Sequence, residues 1–140
     1  MQRRVAIAVA SGLLILPGCG SSSASETKVR QTFLRGIGEI KEPQTAQELH
    51  ARLVRTLASL RSTDTTTAAG GRGKALATRG FAWTLRGIDA RLEMARNDSG
   101  NLEASVHDAE RSDRALRRGA GLLRAAGRAL DVRVGRLNGF

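Results

Sequence analysis

Residues 102–138 read LEASVHDAERSDRALRRGAGLLRAAGRALDVRVGRLN, and the spacing within them decides the fold. Leu102, Ala109, Leu116, Leu123, Leu130 and Leu137 recur every seven residues, with Val106, Asp113, Ala120, Gly127 and Val134 four further on. A mean spacing of 3.5 residues places all of them on one helix face, so the stretch predicts a long helix with an apolar seam broken at Asp113.

Working back from this seam, the helical period continues. Ala77, Phe81, Leu85, Ile88, Leu92 and Ala95 share a face, as do Leu49, Leu53, Leu57 and Leu60, and Val29, Phe33, Ile37 and Ile40. Nothing alternates with the two-residue period of a strand, and the class expected is all-α. The run Ser62-Thr63-Asp64-Thr65-Thr66-Thr67 and the turn Asp98-Ser99-Gly100-Asn101 separate three arms, 26–61, 66–97 and 101–138, each about 45–55 Å long at 1.5 Å per residue. Short connections force neighbouring arms antiparallel. The expected architecture is an elongated antiparallel three-helix bundle whose first arm is kinked at Pro43. The alternative is a four-helix bundle in which Lys41-Glu42-Pro43-Gln44 turns the chain fully back, and Thr45-Ala46-Gln47-Glu48, a capping-box pattern, starts a helix just there.

Gly73, Gly80 and Gly87 also recur at seven, inside the third arm. Each weakens a helix by about 1 kcal/mol relative to Ala. A strip of glycines on one face lets a neighbouring backbone come close, either within the chain or from a docked partner, unless it reflects composition alone.

The N-terminus has its own grammar. Met1-Gln2-Arg3-Arg4 is positive, and Val5 to Leu16 is an uncharged run of 12, too short to span a hydrocarbon core of ~30 Å. Leu16-Pro17-Gly18-Cys19 follows, and then the small polar stretch Gly20 to Ser25. This order resembles the lipobox signal of bacterial lipoproteins, with Pro17 a departure from the usual Ala or Ser. The resemblance covers residues 1–19 only. It implies cleavage between Gly18 and Cys19, a diacylglyceryl group on the Cys19 sulfur, and anchoring by two acyl chains. The implied layout is a signal peptide over 1–18, a lipidated Cys19 with a flexible tether over 19–25, and a helical bundle domain over 26–140. It also explains an unpaired cysteine in an exported chain. Gly20 rather than Asp follows Cys19, which in a two-membrane envelope implies the outer membrane; otherwise the anchor is in the cell membrane, facing out of the cytosol.

Composition narrows the function. The 140 residues carry a net charge of +10, and 20 of the 23 basic residues are Arg. A basic surface of this kind attracts anions. Three Phe, one Trp and no Tyr leave no stacking platform for single strands, so nucleic acid is a poor partner. One Cys and two His cannot build a zinc finger.

Candidate chemistry is sparse. Glu103, His107 and Glu110 share a face at i, i+4 and i+7, the one weak candidate for a metal, but they lie off the seam and read better as a solvated surface. Gly70-Gly71-Arg72-Gly73-Lys74 lacks both the first Gly and the terminal Ser or Thr of a phosphate loop. No catalytic set is expected, and no cofactor. Trp83 lies off the Phe81/Leu85 stripe, either closing the core edge or exposed as an interface anchor. Arg111, Arg114, Arg117, Arg118, Arg124 and Arg128 crowd the last arm, as a solvated face or as a strip for anionic headgroups. The function expected is a lipid-anchored, non-enzymatic binding module whose partner is an envelope protein, an anionic lipid or an envelope polymer. A metal-dependent or hydrolytic enzyme and a structural spacer are the alternatives.

Overall fold

The computed structural model describes residues 22–96 and 100–137. Gly18, Cys19 and the whole signal segment lie outside the described residues. Within them the chain is all-helical, with four helices and no strand: α1 Ser22–Lys41, α2 Ala46–Ser62, α3 Ala68–Arg96 and α4 Leu102–Ala129. α1 takes in Ser22 to Ser25, which the sequence reads as tether.

The first arm is two helices, not one kinked helix. Pro43 has no amide hydrogen and bars Glu42 from helical geometry, so α1 makes its last bond from the Glu42 amide to the Gly38 carbonyl, at 3.1 Å. The Gln44 side chain donates to the Glu39 carbonyl and helps close the α1 end. Thr45 then caps α2: its hydroxyl accepts from the Glu48 amide at 3.2 Å, and its own amide donates to Glu48 Oε2 at 3.0 Å. Arg52, one turn on, reaches back to Glu39 at 2.8 Å and Glu42 at 3.2 Å. The reversal is complete, and α2 runs antiparallel against α1.

Later connections are held by the same kind of chemistry. Lys74 Nζ donates to the carbonyls of Thr63 at 2.5 Å and Arg61 at 3.1 Å, placing a cation on the negative end of α2. Thr67 accepts from the Gly70 amide at 3.1 Å and bonds Glu26 of α1. Asn101 caps α4 by accepting from the amides of Glu103 and Ala104, at 3.1 and 3.2 Å.

The core is built from the apolar faces read from the sequence, except that Ala95 at the end of the α3 face is exposed. Val29, Phe33, Ile37 and Ile40 meet Leu53, Leu57 and Leu60, and both meet Ala77, Phe81, Leu85 and Ile88. Phe33 and Phe81 are tilted together with centroids 6.0 Å apart. Full burial of each large side chain contributes about 1.5–3 kcal/mol.

α3 and α4 pack most closely, through glycine notches. A Cβ built on Gly80 would lie 2.8 Å from Leu123 Cδ2, and one on Gly87 would lie 2.5 Å from Leu116 Cγ. Leu130 lies in the same way on Gly73. The three glycines ascend α3 as the three leucines descend α4, an antiparallel register repeated at each heptad. α4 returns the contact at Gly119, whose Cβ would meet Thr84 Oγ1 at 2.6 Å and the Gly80 carbonyl at 3.1 Å. Two buried hydroxyls are satisfied at this seam, Thr84 to Gly80 O at 3.1 Å and Ser112 to Gly87 O at 2.8 Å.

The heptad expectation for α4 needs two corrections. The helix stops at Ala129 rather than near Asn138, in a left-handed cap where Asp131 has φ 53°. The Val132 amide bonds Gly127 O at 2.9 Å and the Asp131 amide bonds Arg128 O at 3.4 Å, the pattern of a Schellman cap. Val132, Val134 and Leu137 then pack on the core from a non-helical tail. At the other end Leu102 is 78% and Val106 50% exposed. The buried face begins at Ser112 and continues through Leu116, Gly119, Leu123, Ala126 and Leu130. Ala120 and Gly127 are buried as the heptad expects, the face widens to take in Ala115 beside them, and Asp113 is left at the surface, 3.5 Å from Arg91.

Two outcomes are expected. Gly80→Ala destabilises by about 1–3 kcal/mol through overpacking, whereas Gly121→Ala, with nothing within 4 Å, stabilises by up to about 1 kcal/mol; urea unfolding followed by circular dichroism reads both. The Glu48 carboxyl is held below its ordinary 4.5 by the Thr45 amide, then the Thr45 hydroxyl, then the Arg52 charge. Its contribution is therefore complete above pH 4.5 and is lost as pH falls below that value. The difference between wild type and Glu48→Gln in the urea midpoint should shrink in that window.

Candidate functional site

Trp83 stands on α3 just outside the core stripe and is half-buried. Its position on the flank follows from the α3–α4 register. Gly119 seats against Thr84, so the preceding residue of each helix, Arg118 and Trp83, come side by side. The guanidinium carbons of Arg118 and of Arg86, one turn along α3, each lie 4.6 Å from the indole centroid. Such contacts contribute roughly 0.5–1 kcal/mol each where water has access.

Beside this cluster a groove of about 560 Å³ runs between α3 and α4. Trp83, Arg86 and Arg118 line it, Ala90 and Ala115 supply buried apolar surface, and Arg111 and Arg114 are also at its wall. Its two carboxylates are already engaged. Glu93 holds Arg111 at 2.9 Å, and Asp89 lies 3.0 Å from His50 Nε2 on α2. Arg111 also lies 3.6 Å from Asp108, and Arg114 lies 3.6 Å from Glu110. Neither Arg86 nor Arg118 is ion-paired with a carboxylate among the described residues.

The six arginines of α4 therefore do not form one strip. Arg111, Arg114 and Arg118 gather at the groove. Arg117, Arg124 and Arg128 are exposed, about 80–120° round the helix from Arg118 at 100° per residue. Glu103, His107 and Glu110 are all exposed on the first turns of α4. Two of them have local charged neighbours: His107 Nδ1 is 3.9 Å from Asp108, and Glu110 pairs with Arg114. Among the described residues no three His, Cys, Asp or Glu side chains converge as a metal site. The Gly70–Lys74 stretch is helical, and Lys74 is spent on the end of α2.

Sequence reading singles out Trp83, Arg111, Arg114 and Arg118 and misses Arg86, Asp89 and His50. Arg86 had a usable signal: at i+3 from Trp83 it shares that face. His50 and Asp89 meet across two helices, and no spacing within one helix reports that pairing.

No helix among the described residues is long and apolar enough to cross a membrane. Comparison with protein-family models, with curated proteins and with solved structures gives no match to this chain.

Removing one cation from the indole is a direct probe of this geometry. Arg118→Ala should shift Trp83 fluorescence to longer wavelength, raise its quenching by acrylamide, and cost about 0.5–1 kcal/mol of stability. Arg117→Ala, about 100° round α4 from Arg118 and off the groove, should change none of these.

Proposed function

We propose that the chain is a lipid-anchored, extracytoplasmic helical binding module of the cell envelope, and not an enzyme. The observation that carries this reading is Leu16-Pro17-Gly18-Cys19, placed directly after a 12-residue apolar run and a positive N-terminus. A thiol beside a small residue suits both acyl transfer to sulfur and cleavage before the cysteine. α1 begins at Ser22, so a thioether on Cys19 ties the bundle to the bilayer by the N-terminal end of α1. The anchor lies in the cell membrane, or in the outer membrane of a two-membrane envelope.

Binding is assigned to the Trp83 flank. A half-buried indole ringed by guanidiniums offers both apolar area and charge, the combination that concentrates binding energy at interfaces. The net charge of +10 draws it toward anionic lipid, polymer or protein partners. Glu103, His107 and Glu110 support solubility of α4 rather than chemistry, because each side chain is in water with its own helical neighbours.

Mass spectrometry and fractionation test the anchor. The wild-type chain should sediment with membranes and begin at an acylated Cys19, and Cys19→Ala should retain residues 1–18 and lose the acyl mass. A native polypeptide carrying an unmodified thiol and an intact residue 1–18 segment overturns the reading.

A further inference from the structure

The groove beside Trp83 has a charge imbalance that its own side chains leave open. Four arginines and two carboxylates line it: Arg111 pairs with Glu93 inside the groove, Arg114 pairs with Glu110 at its edge, and Asp89 lies against His50. Arg86 and Arg118 are the two lining guanidiniums left without a carboxylate partner among the described residues. Both lie 4.6 Å from one indole centroid, so two like charges are held within about twice that distance of each other. They repel, and an anion between them would turn that repulsion into attraction.

We infer that this groove is a binding site for an organic phosphate monoester, gripped between the Arg86 and Arg118 guanidiniums. A carboxylate has two oxygens and is filled by a single guanidinium fork; a terminal phosphate presents three oxygens and takes forks from two helices at once. A monoester carries about −1.5 to −2 charge at pH 7, enough for both unpaired guanidiniums, whereas a diester carries about half of that. The groove, about 560 Å³, is larger than the phosphate needs and falls within the roughly 300–1,000 Å³ of organic-ligand sites. Ala90 and Ala115, nearly fully buried, leave an apolar floor for the ester's carbon body. The inference rests on the binding half of the proposed function and is independent of the lipid anchor.

Trp83 is the chain's single tryptophan, so its fluorescence reports the groove directly. The full chain in non-ionic detergent is titrated at constant ionic strength with glycerol 3-phosphate, and separately with vesicles of phosphatidylcholine containing phosphatidic acid or phosphatidylglycerol. A saturable signal with glycerol 3-phosphate supports the site and marks the ligand as a soluble ester. A saturable signal with phosphatidic acid vesicles alone supports it and marks the ligand as a lipid headgroup. Either should weaken at least about tenfold in Arg86→Gln/Arg118→Gln and about threefold in Arg86→Lys, which keeps the charge but loses the fork. Binding should also weaken below about pH 6, where the monoester gains a proton. Phosphorus NMR of the ester repeats the titration without the indole, and circular dichroism checks that each variant is folded. The inference is overturned by an equal response to potassium chloride or phosphatidylglycerol. It is also overturned if Arg117→Gln/Arg124→Gln/Arg128→Gln loses as much affinity as the groove variant. Running the titration on Cys19→Ala separates the two readings: the site persists there whether or not the wild type is acylated.

Discussion

At the separation of α3 and α4, Leu130, Leu123 and Leu116 occupy the space that a Cβ would need on α3, and α3 leaves that space open at Gly73, Gly80 and Gly87. The three leucines fill it in antiparallel order, and Gly119 of α4 reciprocates against Thr84. Each interior glycine weakens its own helix, and close approach offsets this by restoring dispersion contact and letting Ser112 of α4 donate to the Gly87 carbonyl of α3. Much else follows from this register. It brings Trp83 level with Arg118, and it leaves the opposite side of α3 free for α1 and α2. It also explains why Leu and Gly share one period on partner helices.

The α1–α2 reversal works by different forces. Few apolar groups are available over residues 41–48, and the turn is assembled from Pro43 sterics, a capping box, and Arg52 shared between Glu39 and Glu42. The Glu39 carboxylate in turn holds the Arg52 guanidinium above its ordinary value. These interactions are exposed and individually small. Their role is directional: they decide that the chain folds back instead of bending, while the energy of holding α1 and α2 together comes from Phe33, Leu53 and Phe81 underneath.

The apolar stripes were legible because burial follows helical period, and 3.6 residues per turn is visible in any run of Leu, Ile and Phe. The α3 glycine strip was legible for the same reason. The choice between kink and reversal was not, because Pro43 ends a helix in both cases and only the pairing of Arg52 with two acids distinguishes them. The end of α4 was hidden by coincidence: Val134 and Leu137 continue the heptad yet reach the core from a non-helical tail, after Asp131 takes a left-handed conformation that an Asp tolerates better than a branched residue. At the candidate site, Trp83 stood out by rarity and the α4 arginines by density. Their division into two groups depends on which side of α4 the glycines press against α3, and the His50–Asp89 contact depends on a register between helices that local spacing does not encode.

The notches have a mechanical consequence. Because they recur every seven residues, α4 can move along α3 to an equivalent seat only by a whole heptad, about 10 Å at 1.5 Å per residue. Any smaller slip drives leucine branches into side chains that carry a Cβ. The hairpin thus acts as a rack with its teeth engaged, and a pull on one end of α4 travels through to α3 as rigid-body displacement, leaving the indole and its flanking cations in place relative to one another.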